Sequence, residues 1–289
     1  MKNIKKLIKK QYIIYLNWKN NRLYNKKYEV KSILDKKYTI TKGCIPEGSD
    51  YDDAWLLFLS SKSEIVFDVG CNIGQSSLLI THSNSLKKLI LIEPNPLSLS
   101  MAAENLIMNN KSENVIFIPK AAYNQSGVNI KLWSMQGAYA GASTDINFSE
   151  TGRISKNYFD VETITLDEIA NTHNYYPDVV KIDVEGAEFS VLEGSINIAK
   201  KGNTLFIVEI HSSIELSIVD NTNKILQWAD QNDYQAYYLR EHKKLINSED
   251  IKHRGRYHIL LIHKQKKYPE GLNRIKQGLN IKNLNSISL

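Results

Sequence analysis

From residue 64 onward, two hydrophobic patterns alternate regularly along this chain. Short, continuous apolar runs of strand length are followed by segments in which apolar residues recur at helical spacing. Continuous apolar runs are typical of parallel strands whose sheet is covered on both faces. The alternation therefore predicts a doubly wound α/β domain built on a parallel sheet.

Seven segments carry the strand pattern, and together they set the limits of the domain. They are residues 64–70, 88–94, 114–121, 179–186, 204–211, 234–240 and 256–264. Helical patterns follow several of them, for example at 97–110 and 186–200. We therefore expect one α/β domain over residues 46–264.

Two segments do not follow this alternation. Residues 127–160 begin with a strand-like run and continue with a stretch rich in Gly, Ser, Thr and Asn. This composition predicts a long loop or β-insertion, which we expect on the substrate side of the domain. Residues 265–289 are predicted to be a polar C-terminal tail.

The positive charge of the chain is concentrated at its N-terminus. Residues 1–31 contain ten Lys or Arg and the single acid Glu29, so their net charge is +9. The whole chain has a net charge of +6, so the remaining residues carry −3. Apolar residues recur there at helical spacing, which predicts a basic helical segment over residues 1–45. Such a helix either packs on the domain or lies on an anionic membrane. Because the domain itself is not basic, nucleic acid is not an expected partner.

Location is predicted from what the sequence lacks. No apolar run approaches the roughly 18 residues of a membrane span, and the first 20 residues lack the apolar core of a signal peptide. We expect a cytoplasmic protein, with peripheral contact of residues 1–31 with an anionic membrane as the alternative. The two cysteines, Cys44 and Cys71, form no CxxC motif, and no metal site is predicted.

The first strand runs into a glycine-rich turn in the segment IVFDVGCNIGQSS, residues 65–77. Glycines after a first strand let a ligand approach the backbone at the start of a helix. The dinucleotide fingerprint G-x-G-x-x-G fails, because Asn72 and Gln75 stand at its second and third glycine positions. An adenosyl cofactor without phosphates is the better fit, and Asp68 would pair with its ammonium group.

The second strand ends in LILIEPNP, where Glu93 follows four apolar residues. An acid at the tip of the second strand can accept hydrogen bonds from both ribose hydroxyls. Its distance of 25 residues from Asp68 is close to the expected spacing of about 20. The alternative is that Glu93 caps the helix beginning at Pro96.

A cluster of acids follows the fourth strand in VVKIDVEGAEFSVLEGS, residues 179–195. Asp183 and Glu185 lie at its carboxyl end, and Glu188 is either part of the cluster or a helix cap. His211 ends the fifth strand, two residues after Glu209. Acids so close together need a positive partner, and a sulfonium cofactor, a metal, Lys181 or a protonated base would each serve.

Three segments together resemble the FkbM-type methyltransferases, a class I family dependent on S-adenosylmethionine. They are FDVGCNIGQSS, IEPNP and KIDVEGAEFSVLEGS, and the similarity spans roughly residues 45–264. The resemblance implies a Rossmann-like, doubly wound, mostly parallel sheet of seven strands with an antiparallel last strand. It also implies S-adenosylmethionine as the methyl donor and a small-molecule or glycan acceptor.

The resemblance further implies a role for individual residues of this sequence. The residues expected to line the methionine part are Asp68, Gly70, Asn72 and Gly74. Those expected at the adenosine are Glu93, Asn95, Ala121 and Ala122. Asp183 is expected to face the sulfonium and the acceptor.

The resulting prediction is an O-methyltransferase acting on a sugar hydroxyl of a glycan or glycan precursor. Asp183, Glu185 or His211 would take the proton of the hydroxyl, and a divalent metal held by these three is the less favoured alternative. Trp133, Tyr139 and Arg153 are the expected acceptor contacts of the insertion. Other acceptors, such as a lipid or protein, and a non-catalytic membrane-tethered adapter remain as alternative functions. The sequence predicts no oligomeric state.

Overall fold

The computed structural model describes residues 27–34, 36–43, 52–134, 142–143, 158–213, 216–251 and 256–281. In chain order its strands are β1 (Tyr28–Ile33), β2 (Lys36–Thr41), β3 (Ile65–Val69), β4 (Lys88–Ile92), β5 (Val115–Ile118), β6 (Ala121–Ala122), β7 (Asn129–Ser134), β8 (Ala142–Ser143), β9 (Tyr158–Ile164), β10 (Val179–Ile182), β11 (Leu205–Ile210), β12 (Tyr234–Tyr238), β13 (Lys243–Leu245) and β14 (Tyr257–His263). The α-helices are α1 (Asp53–Ser60), α2 (Gln75–Ile80), α3 (Pro96–Met108), α4 (Leu166–His173), α5 (Glu188–Glu193), α6 (Ile196–Lys200) and α7 (Ile218–Gln231).

The main sheet confirms the predicted fold. Within the described residues it has eight strands in the order β13-β12-β14-β11-β10-β3-β4-β5. Strands β11, β10, β3, β4 and β5 are parallel to one another, and β14 is antiparallel to both of its neighbours. All seven predicted strands are present, and the short strand β13 adds an eighth at the edge.

Helices cover both faces of this sheet and give the domain two hydrophobic cores. One core is built with α1, α2 and α3, and includes the fully buried Trp55. The other is built with α4, α5, α6 and α7, and includes Phe206 and Trp228. Burial on both faces explains why the strand sequences are continuously apolar rather than alternating.

The chain order of the sheet reverses between β3 and β10, and this point positions the site. β3 is followed in sequence by β4 on one side, while β10 lies on its other side. In open α/β sheets, ligands bind beyond the carboxyl ends of the strands at such a reversal. The glycine turn and the acidic cluster both begin there, after Val69 and Ile182.

The predicted insertion forms a second, smaller sheet. In the part of residues 127–160 that the structure describes, β7 pairs antiparallel with β8 and with β9. β9 in turn pairs in parallel with β6, which follows the edge strand of the main sheet. Leu132 and Val161 pack against Ala121 in a third, small apolar cluster. The β-insertion is therefore anchored beside the carboxyl ends of the main strands.

The N-terminal segment differs from its prediction. We expected a helical segment over residues 1–45, but its described part contains the antiparallel hairpin β1–β2. Tyr38 and Ile40 are buried in the core beside α1 and α3. Asn105 of α3 accepts a hydrogen bond from the Thr41 backbone at 2.8 Å. The helix prediction failed there because tertiary packing on α3 outweighs local spacing. Residues 1–26, which hold most of the basic charge, lie outside the described residues.

The described part of the C-terminal tail is packed on the domain. Leu272 and Ile275 are fully buried. The Ile275 carbonyl accepts hydrogen bonds from Trp55 Nε1 at 2.9 Å and contacts His242 Nε2 at 2.8 Å. Residues 265–281 therefore complete the hydrophobic core that contains α1. Among the helices that the structure describes, none has the length and apolarity needed to cross a bilayer.

Candidate active site

Two clefts open side by side at the carboxyl ends of β3, β4, β10 and β11. The first, of about 690 Å³ including its mouth, has a largely apolar wall. Its apolar lining includes Ile92, Ala121, Ala122, Ile130, Leu132 and Val184. The second, of about 610 Å³ including its mouth, has a charged wall with Asp52, Asp53, Lys181, Glu209 and Arg256. Gly70, Asn72 and Asp183 line both clefts, so these three residues form the shared wall.

Gly70 brings the glycine turn against the end of β10. Its φ is +74°, and a Cβ at this position would lie 1.8 Å from the Asp183 carbonyl oxygen. Its N–H donates to the Ile92 carbonyl at 2.9 Å. No other residue fits so close an approach of three strand ends. The predicted backbone cradle is thus present.

Asn72 carries a polar atom that the described residues leave without a hydrogen bond. Its Oδ1 is buried and has no partner among them. The backbone of Asn72 has φ +47°, and its N–H donates to Glu93 Oε2 at 2.9 Å. A buried acceptor of this kind on the shared wall suits a ligand that brings its own donor, such as an ammonium group.

Glu93 lies in the wall of the first cleft with only 7% of its surface exposed. Each carboxylate oxygen accepts one backbone N–H, from Asn72 and from Asn95, both at 2.9 Å. Burial raises the pKa of Glu93 to about 7, although these two hydrogen bonds favour its charged form. Each oxygen keeps a lone pair for one further hydrogen-bond donor.

Three of the expected cofactor residues do not line either cleft. Asp68 is fully buried, and its Oδ2 accepts hydrogen bonds from Ser76 and Ser77 of α2 at 2.8 and 2.7 Å. Asn95 caps α3 by accepting the backbone N–H of Leu97. A Cβ on Gly74 would lie 3.0 Å from Ala102. These three residues therefore stabilise the turns that follow β3 and β4, through contacts with α2 and α3.

Lys181 supplies the positive partner that the acidic cluster needs. Its Nζ lies 3.2 Å from Asp183 Oδ2 and 3.8 Å from Asp68 Oδ1. Burial alone would lower the pKa of Lys181, but the charges of Asp183, Asp68 and Asp52 outweigh it and raise the pKa. Lys181 therefore stays charged and fixes the Asp183 carboxylate at the shared wall.

His211 lies between acids from two elements. Its Nδ1 is 3.0 Å from Glu188 Oε1, and its Nε2 is 3.4 Å from Glu185 Oε2 and 3.7 Å from Glu209 Oε1. Glu188 is fully buried and accepts hydrogen bonds from Gly186 and Asn221, both at 2.9 Å. Glu188 is thus part of the cluster, and it fixes the ring of His211 from behind.

The acids and the imidazole shift one another's pKa values. Burial alone lowers the pKa of His211, but the hydrogen bond to Glu188 and the charges of Glu188, Glu185 and Asp183 raise it to about 9. Burial raises the pKa of Glu185 to about 7, with the charge of His211 opposing the shift. Burial alone would raise the pKa of Glu209, but His258, His211 and Arg256 lower it to about 2.

Asp52 and Arg256, which line the second cleft, and the neighbouring His258 were not among the predicted site residues. Arg256 Nε lies 3.1 Å from Glu209 Oε1. His258 Nε2 lies 3.6 Å from Glu209 Oε2 and 3.8 Å from Asp52 Oδ2. Asp52 precedes α1 and Arg256 precedes β14, so both come from elements distant in sequence. The sequence signal for these residues is that Arg256 and His258 are two residues apart, so their side chains lie on the same face of the last strand.

The insertion contributes less to the described site than we expected. Ile130 and Leu132 of β7 line the first cleft. Trp133, the neighbouring residue, instead packs its ring 5.0 Å from that of Tyr158. Tyr139 and Arg153 lie outside the described residues.

The chain is similar in sequence to known proteins. The family described as the methyltransferase FkbM domain matches residues 68–236. The hexuronic acid methyltransferase AglP of Haloferax volcanii is 27% identical over 161 residues, which are 55% of this chain and 61% of AglP. This chain thus covers less than two thirds of that relative.

Two of the solved structures that this chain resembles are the following. Methyltransferase FkbM from Methylobacillus flagellatus KT aligns with a TM-score of 0.46 and 19% identity, over 70% of this chain and 44% of that one. TYW2 of M. jannaschii, in complex with AdoMet, aligns with a TM-score of 0.43 and 15% identity, over 81% and 84% of the two chains.

The doubly wound sheet, with a cleft at its reversal and no dinucleotide fingerprint, has the class I methyltransferase fold. The chain belongs to the FkbM methyltransferase family, whose matching region covers more than half of its 289 residues. Family membership confirms the resemblance that the sequence motifs indicated.

Proposed function

We propose that this chain transfers a methyl group from S-adenosylmethionine to a sugar hydroxyl of a glycan or glycan precursor. The observation that carries the proposal is the shared wall of Gly70, Asn72 and Asp183, which joins an apolar cleft to a charged one. S-adenosylmethionine has the same division, with a flat adenosine at one end and a charged amino acid at the other. The sugar acceptor is supported by the relative AglP, described as a hexuronic acid methyltransferase.

The residues of the two clefts have distinct tasks in this proposal. Ala121 and Ala122 leave room for the adenine, and Glu93 accepts the ribose hydroxyls. Gly70 lets the chain of the cofactor pass close to the backbone, and Asn72 Oδ1 accepts a hydrogen bond from its ammonium. When bound, the cofactor would supply an electrophilic methyl carbon, and the carboxylate of Asp183 would face it.

The acceptor hydroxyl reaches the methyl group from the side of Glu185 and His211. A hydroxyl becomes a good nucleophile only as it loses its proton, so a proton acceptor must lie within hydrogen-bond reach. Asp183, Glu185 and His211 are the candidates, since Asp183 and Glu185 line the first cleft and His211 Nε2 lies 3.4 Å from Glu185 Oε2. Holding the hydroxyl in line with the sulfonium supplies a large part of the catalysis.

Calorimetric titration of the purified chain with S-adenosylhomocysteine, with NADH as the control, tests the cofactor site. We expect micromolar affinity for S-adenosylhomocysteine and no binding of NADH. Absence of binding for both would favour the non-catalytic adapter. The acceptor is tested by release of S-adenosylhomocysteine in the presence of hexuronic acid glycosides, neutral hexose glycosides, lipid or protein acceptors. Turnover only with the lipid or protein would overturn the sugar assignment.

A further inference from the structure

Three side chains at the carboxyl ends of β10 and β11 point to one location. Asp183, Glu209 and His211 each offer a ligand atom, and these atoms all lie within 4.8 Å of one another. Glu209 and His211 are two residues apart, so their side chains share one face of the strand end. Asp183 is brought beside them by the parallel pairing of β10 with β11.

The imidazole of His211 is held by a carboxylate on one ring nitrogen, as metal-binding histidines commonly are. His211 has only 9% of its surface exposed. Its Nδ1 is held by Glu188 at 3.0 Å, while its buried Nε2 makes no hydrogen bond within the described residues. In the neutral ring, a carboxylate on one nitrogen holds the proton there and leaves the other nitrogen with a lone pair for a cation. That nitrogen lies 3.4 Å from Glu185 Oε2 and 3.7 Å from Glu209 Oε1.

The surroundings of His211 also carry an excess of negative charge. Six acids form this network in the described structure, namely Asp52, Asp68, Asp183, Glu185, Glu188 and Glu209. The permanently charged basic residues in this network are Lys181 and Arg256. Carboxylates this deeply placed need compensating charge. A divalent cation would supply it, and protonation of the two histidines is the competing way to do so.

We propose that Asp183, Glu209 and His211 bind one divalent cation. Two carboxylates and one imidazole suit Mn²⁺ or a similar ion, and three protein ligands leave positions for water or acceptor oxygens. Glu185, which we considered as a ligand from sequence, is not one of the three converging residues. In the proposed reaction the cation would orient the acceptor hydroxyl at the shared wall. Cation binding itself requires neither cofactor nor acceptor, so it goes beyond the proposed function.

The test is a titration of the full chain with Mn²⁺ alone, followed by the loss of the electron paramagnetic resonance signal of the free ion. We expect one Mn²⁺ bound per chain. Asp183→Asn and His211→Asn should each weaken its affinity at least tenfold. Asp230→Asn is the matched control, because Asp230 is an exposed acid paired with Lys264 at 2.9 Å. Its affinity for Mn²⁺ should equal that of the wild type.

Two results would overturn the proposal. One is a wild-type chain that binds no Mn²⁺ up to about 1 mM, which would leave protonated histidines as the balancing charge. The other is equal binding by the wild type and by folded Asp183→Asn, which would place the ion elsewhere. Thermal melting of each variant verifies folding, and the wild-type titration is decisive without any variant. Titration with S-adenosylhomocysteine remains a separate test of the proposed function.

Discussion

Glu93 combines deep burial with a task that requires its charge. Because its pKa lies near 7, the ionised fraction rises from about a tenth at pH 6 to about nine tenths at pH 8. Ribose hydroxyls donate to the ionised form, so affinity for S-adenosylhomocysteine should rise about tenfold over this range. Calorimetry at the two pH values measures the change. Glu93→Gln should bind weakly and show no such rise.

The raised pKa of Glu93 also makes the stability of the folded protein depend on pH. The pKa of Glu93 in the folded protein lies above its ordinary value of 4.5. The folded state therefore holds a proton that the unfolded state has lost, and the contribution of Glu93 to stability falls as the pH rises from about 4.5 to about 7. Cofactor binding opposes this, because it favours the ionised carboxylate.

Asp183 is expected to distinguish a charged cofactor from a neutral one. Asp183→Asn keeps the shape of the side chain and removes its charge beside the sulfonium. We expect the affinity for S-adenosylmethionine to fall about tenfold more than that for S-adenosylhomocysteine, and turnover to fall at least a hundredfold. Paired calorimetric titrations and initial rates provide the comparison. Equal losses for the two ligands would show that Asp183 does not face the sulfonium.

Among the elements, the break between α5 and α6 links packing to the site. The sequence predicted one helix over 186–200, but Gly194 ends α5 where the chain meets β6. A Cβ on Gly194 would lie 2.1 Å from the carbonyl oxygen of Tyr123, and Tyr123 lines the first cleft. Gly194→Ala should therefore destabilise the fold by about 3 kcal/mol and also weaken S-adenosylhomocysteine binding.

Gly127 offers a matched control for this substitution. Its φ is +76°, but no atom lies within 4 Å of a Cβ built there. Gly127→Ala therefore introduces backbone strain alone, about 1 kcal/mol, and should leave cofactor affinity unchanged. Thermal melting and calorimetry on both variants separate the two effects. Similar losses of affinity in both would remove the proposed link between Gly194 and the cleft.

At the scale of the whole molecule, the positive charge of the sequence is concentrated before the described domain. Residues 1–26 hold eight Lys or Arg, and each would contribute about 1 kcal/mol to binding an anionic membrane. Deleting these residues should abolish sedimentation with anionic vesicles and leave S-adenosylhomocysteine binding intact. A deletion through residue 31 is less informative, because it removes most of β1 and the contact of Lys27 with Glu104.

Vesicles of neutral lipid are the control for that experiment. The intact chain should bind them no better than the shortened chain does, since the attraction is electrostatic and is screened by salt. If the intact chain fails to sediment with anionic vesicles at low salt, the membrane hypothesis is wrong.

The sequence by itself determined the α/β sheet and the edge at which the site lies. Continuous apolar strands must be covered on both faces, and parallel strands bring their carboxyl ends to one edge. Glu93 and Asp183 could be placed at that edge because each directly follows an apolar strand. These inferences depend only on local periodicity.

Only the tertiary structure decided how the polar side chains are paired. In the folded chain, Asp68 accepts hydrogen bonds from Ser76 and Ser77. His211 pairs with Glu188, and Arg256 pairs with Glu209. The tertiary structure also converted residues 28–41 into a hairpin packed on α3. Such partners lie far apart in sequence and are selected by strand register and packing, which local spacing does not encode.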